Sequence, residues 1–215
     1  GAYLLVLIVL TLLFGAKSAP DASTVRTRVV VSIAVSFFVL FGAVYFVMIR
    51  SKGYSWTDLG VRPITPEWRR LSILLGLAMV PAAVVVTVLV QRYTAAGSQD
   101  LTRAIANSGF SFFSAVAFFL YIALLQPIAE ELIFRGMLFG WLRRIQSFQI
   151  ANLICAAAFA IVHIQLVAIV VTFLVGLALG WLRERSGSVL APILMHQVYN
   201  GAMLILTFGA TFFGR

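Results

Sequence analysis

Residues 109–142 read GFSFFSAVAFFLYIALLQPIAEELIFRGMLFGWL, an apolar stretch interrupted only by Gln126, Glu130, Glu131 and Arg135. At 1.5 Å per residue, such a run makes roughly 50 Å of helix. That exceeds the roughly 30 Å hydrocarbon layer of a bilayer. The helix must therefore tilt, protrude, or bend near Pro127 or Gly136. A stretch this apolar, carrying two adjacent acids and one base at its centre, fits a membrane-spanning helix that bears a buried polar site.

The rest of the chain agrees. Of 215 residues, 62% are hydrophobic and 11% charged, with a mean hydropathy of +1.04. Soluble domains carry about 25% charged residues. The expected fold is all-α, one polytopic bundle over 1–215 with about seven or eight transmembrane helices at about 20 residues each. The motif-bearing core spans 109–213, and 1–108 form variable N-terminal helices. Val29–Ile49 and Leu71–Val90 are of spanning length, and Pro81 is tolerable inside the second. Ala2–Gly15 is short and has no basic n-region, so it reads as part of a first helix rather than a signal peptide. Downstream runs are Ile150–His163, Leu166–Leu182 and Val189–Phe213.

The net charge of +9 resides in short loops, the pattern of the positive-inside bias. It carries no nucleic-acid-binding motif, so no nucleic-acid partner is expected. Arg50–Arg70, Arg143/Arg144 and Arg183/Arg185 fall on one face, expected to be cytoplasmic. Lys17–Arg28 and Gln91–Ser108 fall on the other. Arg50–Arg70, with Tyr54, Trp56 and Trp68, reads as a membrane-surface anchor. Cys155 is the single cysteine, so no intrachain disulfide forms.

Ionisable residues inside a bilayer are costly, about 2.5–3.5 kcal/mol each on insertion scales, and mark function. Both histidines of the chain lie in apolar runs. Helix rise places Glu130 about 20 Å from Arg143, His163 about 22 Å from Phe148, and His196 and Asn200 about 12 and 18 Å from Ser188. Three helices thus bring polar groups to a similar depth, where they must satisfy one another. Glu131 and Arg135 stand i, i+4 with the acid first, the favourable order for an ion pair. Glu130 is turned about 100° from Glu131, which leaves it free to face a cavity. His196 and Asn200 are also i, i+4, and Phe159 lies one turn before His163. Gln126 and Gln165 read as packing or cavity-lining residues. Taken singly, each of these residues has a structural explanation; as a set they point to a hydrolytic site.

The set has a known counterpart. Glu130-Glu131-Leu-Ile-Phe-Arg135 resembles the EExxxR motif of the CPBP intramembrane proteases, also called Abi or type II CAAX prenyl endopeptidases. Phe159-Ala-Ile-Val-His163 resembles their FxxxH motif, and His196-Gln-Val-Tyr-Asn200 their HxxxN motif. The likeness covers Gln126–Asn200, and Asp58-Leu-Gly-Val-Arg62 looks like part of the variable upstream half. The resemblance implies an intramembrane endopeptidase, with Glu130 as general base and His163 holding the attacking water. His196 and Asn200 would bind the oxyanion, with Glu131 and Arg135 in support. No cofactor is implied with certainty. Zinc is the candidate metal, since Glu130, His163 and His196 make up the donor set of a catalytic zinc site, but there is no HExxH signature. The expected partners are the lipid bilayer and a peptide or membrane-protein substrate, and the expected location is a bacterial cytoplasmic membrane. Two alternatives stand beside this reading: a non-proteolytic immunity or scaffold protein that retains the protease fold, and an ion or proton transporter. Against the transporter, no internal repeat is visible.

Overall fold

The computed structural model describes residues 31, 35–94 and 112–213. They form six helices and no strand: α1 (Val35–Ser51), α2 (Pro66–Thr94), α3 (112–142), α4 (Phe148–Ile161), α5 (Leu166–Ser186) and α6 (Leu190–Phe213). The all-α membrane bundle is as expected, with six helices among the described residues against about seven or eight expected for the whole chain. The connection between α1 and α2 uses fourteen residues, 52–65, and α2 alone takes 29. The run Ala2–Gly15 and most of the two polar loops Lys17–Arg28 and Gln91–Ser108 lie outside the described residues.

Local sequence explains the boundaries. Ser147 caps α4 by accepting the Ile150 N–H, a standard N-cap role. At the other end of α5, Gly187 takes a left-handed conformation (φ 67°) just after Arg183 and Arg185. Glycine makes that conformation cheap, and the two cations favour a helix C-terminus.

The long α3 resolves its length by changing winding rather than breaking. α-Helical turns at Phe112–Phe119, Gln126–Glu131 and Phe139–Leu142 alternate with π-helical stretches at Leu120–Leu125 and Leu132–Leu138. One π stretch ends just before Pro127, which has no N–H to donate, and the other contains Gly136. The expected bend is therefore a pair of wide turns that flank Glu130 and Glu131. Widened turns of this kind recur at functional sites.

Three helices, Pro66–Thr94, Val116–Leu142 and Leu166–Ser186, are long and apolar enough to cross a membrane. Their outer faces carry exposed Leu74, Val85, Val88 and Leu174. Such a surface is stable only against lipid, so this is an integral membrane protein. Within the bundle, α2 packs along α6, and α4 along α5. Small residues allow the close approach: a Cβ on Gly76 would lie 2.7 Å from the Met195 carbonyl, and one on Gly180 would collide with Asn152 Oδ1. Such contacts replace the hydrophobic drive that lipid removes. One apolar core joins Val80, Phe159, Val175, Leu179, Leu182 and Met195. A second joins Val44, Leu59, Leu132, Val189 and Ile193.

That second core corrects the reading of Arg50–Arg70 as a surface anchor. Leu59 is buried, the Gly60 carbonyl accepts the Val189 N–H at 2.8 Å, and Ser188 Oγ donates to the Arg62 carbonyl at 2.6 Å. The left-handed Gly60 (φ 84°) packs so closely on the Arg183 guanidinium that a side chain has no room. The segment is thus built into the bundle. The same contacts, with the Arg143–Glu184 pair, gather loops 52–65, 143–147 and 187–189 at one end, as the charge pattern predicted.

Candidate active site

The double-acid turn lies between the two π stretches and is sealed: Glu130 is 2% exposed, Glu131 and Arg135 0%. Glu131 and Arg135 pair as their spacing predicted, with Arg135 Nη1 donating to Glu131 Oε1 at 3.0 Å. Arg135 also donates through Nη2 to the Gly176 carbonyl on α5 at 2.9 Å. Its guanidinium carbon stands 4.6 Å from the Phe159 ring centroid, within cation–π range.

Sequence reasoning missed the next contact. His196 Nδ1 lies 2.9 Å from the Glu131 oxygen that Arg135 also holds. A carboxylate only accepts, so Nδ1 carries the proton and donates. Glu131 therefore links α3 to α6 as well as neutralising Arg135. The other nitrogen of His196, Nε2, lies 3.9 Å from Glu130 Oε2, too far for a direct hydrogen bond. Glu130 Oε1 accepts from Gln126 Nε2 at 2.9 Å. The i, i+4 spacing of Gln126 and Glu130 could have revealed this pair, yet Gln126 reads from sequence only as packing or cavity lining.

His163 is not inside a helix. α4 ends at Ile161 after 14 residues, roughly 21 Å of rise, so the turn to α5 falls at membrane depth and carries His163. The imidazole Nδ1 lies 2.9 Å from the Phe159 carbonyl and must donate to it. That bond leaves Nε2 as the reactive nitrogen. The following residue, Ile164, has φ 66°, a conformation that is costly for a β-branched side chain. Strain of this kind persists where surrounding packing fixes the backbone.

Phe159 holds the assembly together. Its ring meets His163 edge-on at 5.1 Å, His196 at 5.7 Å and Phe134 at 5.1 Å. The expected buttress under His163 is present, and the same ring also touches His196 and Arg135. Asn200, by contrast, donates Nδ2 to the Ile122 carbonyl in the first π stretch at 3.1 Å. The other π stretch is similarly tied: Cys155 Sγ donates to the Phe134 carbonyl and Arg183 Nε to the Arg135 carbonyl. Wide turns misalign helical hydrogen bonds, and side chains from α4, α5 and α6 engage carbonyls in them. Gln165, at the head of α5, makes no hydrogen bond from its side chain to cap that helix.

The chemistry available is a buried carboxyl facing an imidazole across a gap, beside a second imidazole on a fixed turn. Gln126 Oε1, Glu131 Oε2, Arg135 Nε and the Tyr121 hydroxyl are buried without a hydrogen-bond partner among the described residues. The zinc donor types are present, but among the described residues no three His, Cys, Asp or Glu side chains converge closely enough to hold one ion.

Comparison with known proteins points the same way. Residues 112–202 match the family model of "Type II CAAX prenyl endopeptidase Rce1-like". A Bacillus subtilis protein named "Putative membrane peptidase YdiL" is 32% identical over 84 residues, 39% of this chain and 34% of its own length. The aligned stretch thus spans about a third of that relative. A Staphylococcus aureus protein named "Membrane-embedded CAAX protease MroQ" is 27% identical over 190 residues, 83% of this chain and 74% of its own. No solved structure matches the chain. All three motif segments fall inside the matched region, so residues 112–202, somewhat less than half of the chain, are similar to the Rce1-like type II CAAX prenyl endopeptidases.

Proposed function

We propose that this protein is an intramembrane endopeptidase that hydrolyses a peptide bond in a membrane-associated peptide or protein. The observation that carries the reading is the joint engagement of Glu131 by Arg135 and His196, with buried His196 facing buried Glu130. A structural ion pair has no need of the facing acid and imidazole.

In the proposed reaction, Glu130 takes a proton from a water molecule held by Nε2 of His163, and the water oxygen attacks the scissile carbonyl carbon. The 3.9 Å between Glu130 Oε2 and His196 Nε2 sets the base beside the imidazole that meets the oxyanion. His196, with a proton on each nitrogen, gives Nδ1–H to Glu131 and Nε2–H to the oxyanion, joined by the second N–H of Asn200. Removing one such donor typically costs about 2.7–4 kcal/mol of transition-state stabilisation. The C–N bond then breaks, and Glu130 passes its proton to the leaving nitrogen. The products are a carboxylic acid and an amine, which become carboxylate and ammonium when the acid's proton passes to the amine. Glu131, Arg135 and Phe159 keep the imidazole of His196 in place, and Gln126 orients Glu130.

Water activation here rests on the carboxylate and imidazoles directly, so a chelator leaves cleavage unchanged. The substrate enters from the bilayer or from the end where loops 52–65, 143–147 and 187–189 gather. The bacterial relatives support a bacterial cytoplasmic membrane as the location. The deciding experiment compares fragments in membrane fractions of cells expressing wild type or Glu130→Ala. Fragments that appear only with wild type support the peptidase. Identical fragment sets, with retained biological function in the variant, would instead establish the non-proteolytic scaffold.

A further inference from the structure

A cleft of about 400 Å³ opens between the end of α1, the loop after it and the far face of α3. Its size falls in the range of small-molecule sites, about 300–1,000 Å³. None of Glu130, His163, His196 or Asn200 lines it, so it is separate from the site above. The wall is apolar, formed by Met48, Ile133, Met137 and Trp141. Along it Gly140 leaves open space, with no atom within 4 Å of the position a Cβ would take.

One end of the cleft is polar and cationic. Arg144 and Tyr54 line it with Asp58. The Asp58 carboxylate is engaged by the Ser55 N–H at 2.8 Å and the Ser55 hydroxyl at 2.7 Å. Two cations, Arg62 and Arg144, act on this one acid, which leaves a positive surplus. The Arg144 guanidinium makes no hydrogen bond among the described residues. Its neighbour Arg143 is instead engaged at all three nitrogens, Nε and Nη2 donating to Glu184 and Nη1 to the Gln146 carbonyl. Apolar surface is exposed on either side of Arg144 in the chain, at Trp141 (56%) and Ile145 (58%). An aromatic ring beside a cation at a helix end marks the headgroup layer.

We propose that this cleft binds one anionic phospholipid of the surrounding bilayer, an acyl chain lying against α3 over Gly140 and the phosphate on Arg144. A chain enters from the lipid-facing surface without crossing polar groups, and the headgroup meets a cation whose donors are not otherwise engaged. A charge-assisted hydrogen bond of that kind corresponds to about a tenfold preference over a lipid without net charge.

Native mass spectrometry of the detergent-purified full chain, given equal dioleoyl phosphatidylglycerol and dioleoyl phosphatidylcholine, tests it. Wild type retains one phosphatidylglycerol with about tenfold preference. Gly140→Leu fills the cleft and loses retained lipid, and Arg144→Gln, at an exposed position, abolishes the preference. Excess inorganic phosphate displaces nothing. Equal retention of both lipids by wild type overturns the proposal, as does unchanged preference in Arg144→Gln, or displacement by phosphate. If Gly140→Leu does not fold, the Arg144 variant alone decides.

Discussion

Two arginine–glutamate pairs among the described residues share the same 3.0 Å contact and have opposite surroundings. Arg135–Glu131 is 0% exposed on both sides and bonded onward to His196 and the Gly176 carbonyl. Arg143–Glu184 is 32% and 29% exposed and joins the end of α3 to the last turns of α5 at the bundle's end. Water and salt screen the outer pair, whose worth is about 0.2–1 kcal/mol. Breaking the inner one leaves a charge stranded in low dielectric, at a cost of about 3–5 kcal/mol. Equal geometry therefore means different things: the outer pair fastens two helix ends, and the inner one orients a histidine.

That contrast can be broken at several points. The largest effect is expected beside the inner pair: Glu130→Ala lowers cleavage by about 10²- to 10⁴-fold, the usual contribution of a positioned base. Thermal unfolding in detergent stays near wild type, and a peptidase assay in liposomes checks the loss. His196→Ala lowers turnover by about 10²- to 10³-fold, the scale of a lost oxyanion donor; full activity in this variant would remove its role. Next is Glu131→Gln, which keeps the shape but strands Arg135. It destabilises the fold by about 3–5 kcal/mol and reduces cleavage through His196, an effect a mere fastener would not have.

Arg143→Gln should shift stability by less than about 1 kcal/mol and lose even that in high salt, because the exposed pair is screened. A loss as large as that of Glu131→Gln would erase the distinction between the pairs. The smallest effect concerns Asp58, whose carboxyl is held below the ordinary carboxylate range, first by the Ser55 hydroxyl and then by the Ser55 N–H. A depressed folded-state value gives stability that is present above the unfolded value and is lost as pH falls through the folded one. The loop after α1 should therefore loosen only in strong acid. Asp58→Asn removes that acid step, as read by hydrogen exchange over residues 52–62.

Several features of the site were visible in the sequence because they are local. The i, i+4 spacing gave Glu131 with Arg135 and Phe159 beneath His163, and both contacts form. The Gln126–Glu130 pair has the same spacing and was overlooked because an amide in an apolar run resembles packing. Contacts between distant segments were not readable. His196 joins Glu131 across 65 residues and Asn200 reaches the Ile122 carbonyl across 78. Both depend on the rotation of α6 against α3. The π stretches at Leu120–Leu125 and Leu132–Leu138 alter that rotation, since each widened turn shifts the phase of everything after it.

The sequence by itself determined that this chain lives in a membrane and that its few buried polar residues must meet, because lipid offers them no other partner. Tertiary structure alone decided which partner each one takes. It placed His196 on Glu131 and opposite Glu130, and His163 on a strained turn. It also drew the loop after α1 into the core through Leu59 and Gly60. Hydropathy and spacing fix depth and helix face to within a turn, whereas hydrogen bonding needs atoms within tenths of an ångström. Only the packed bundle sets distances that finely.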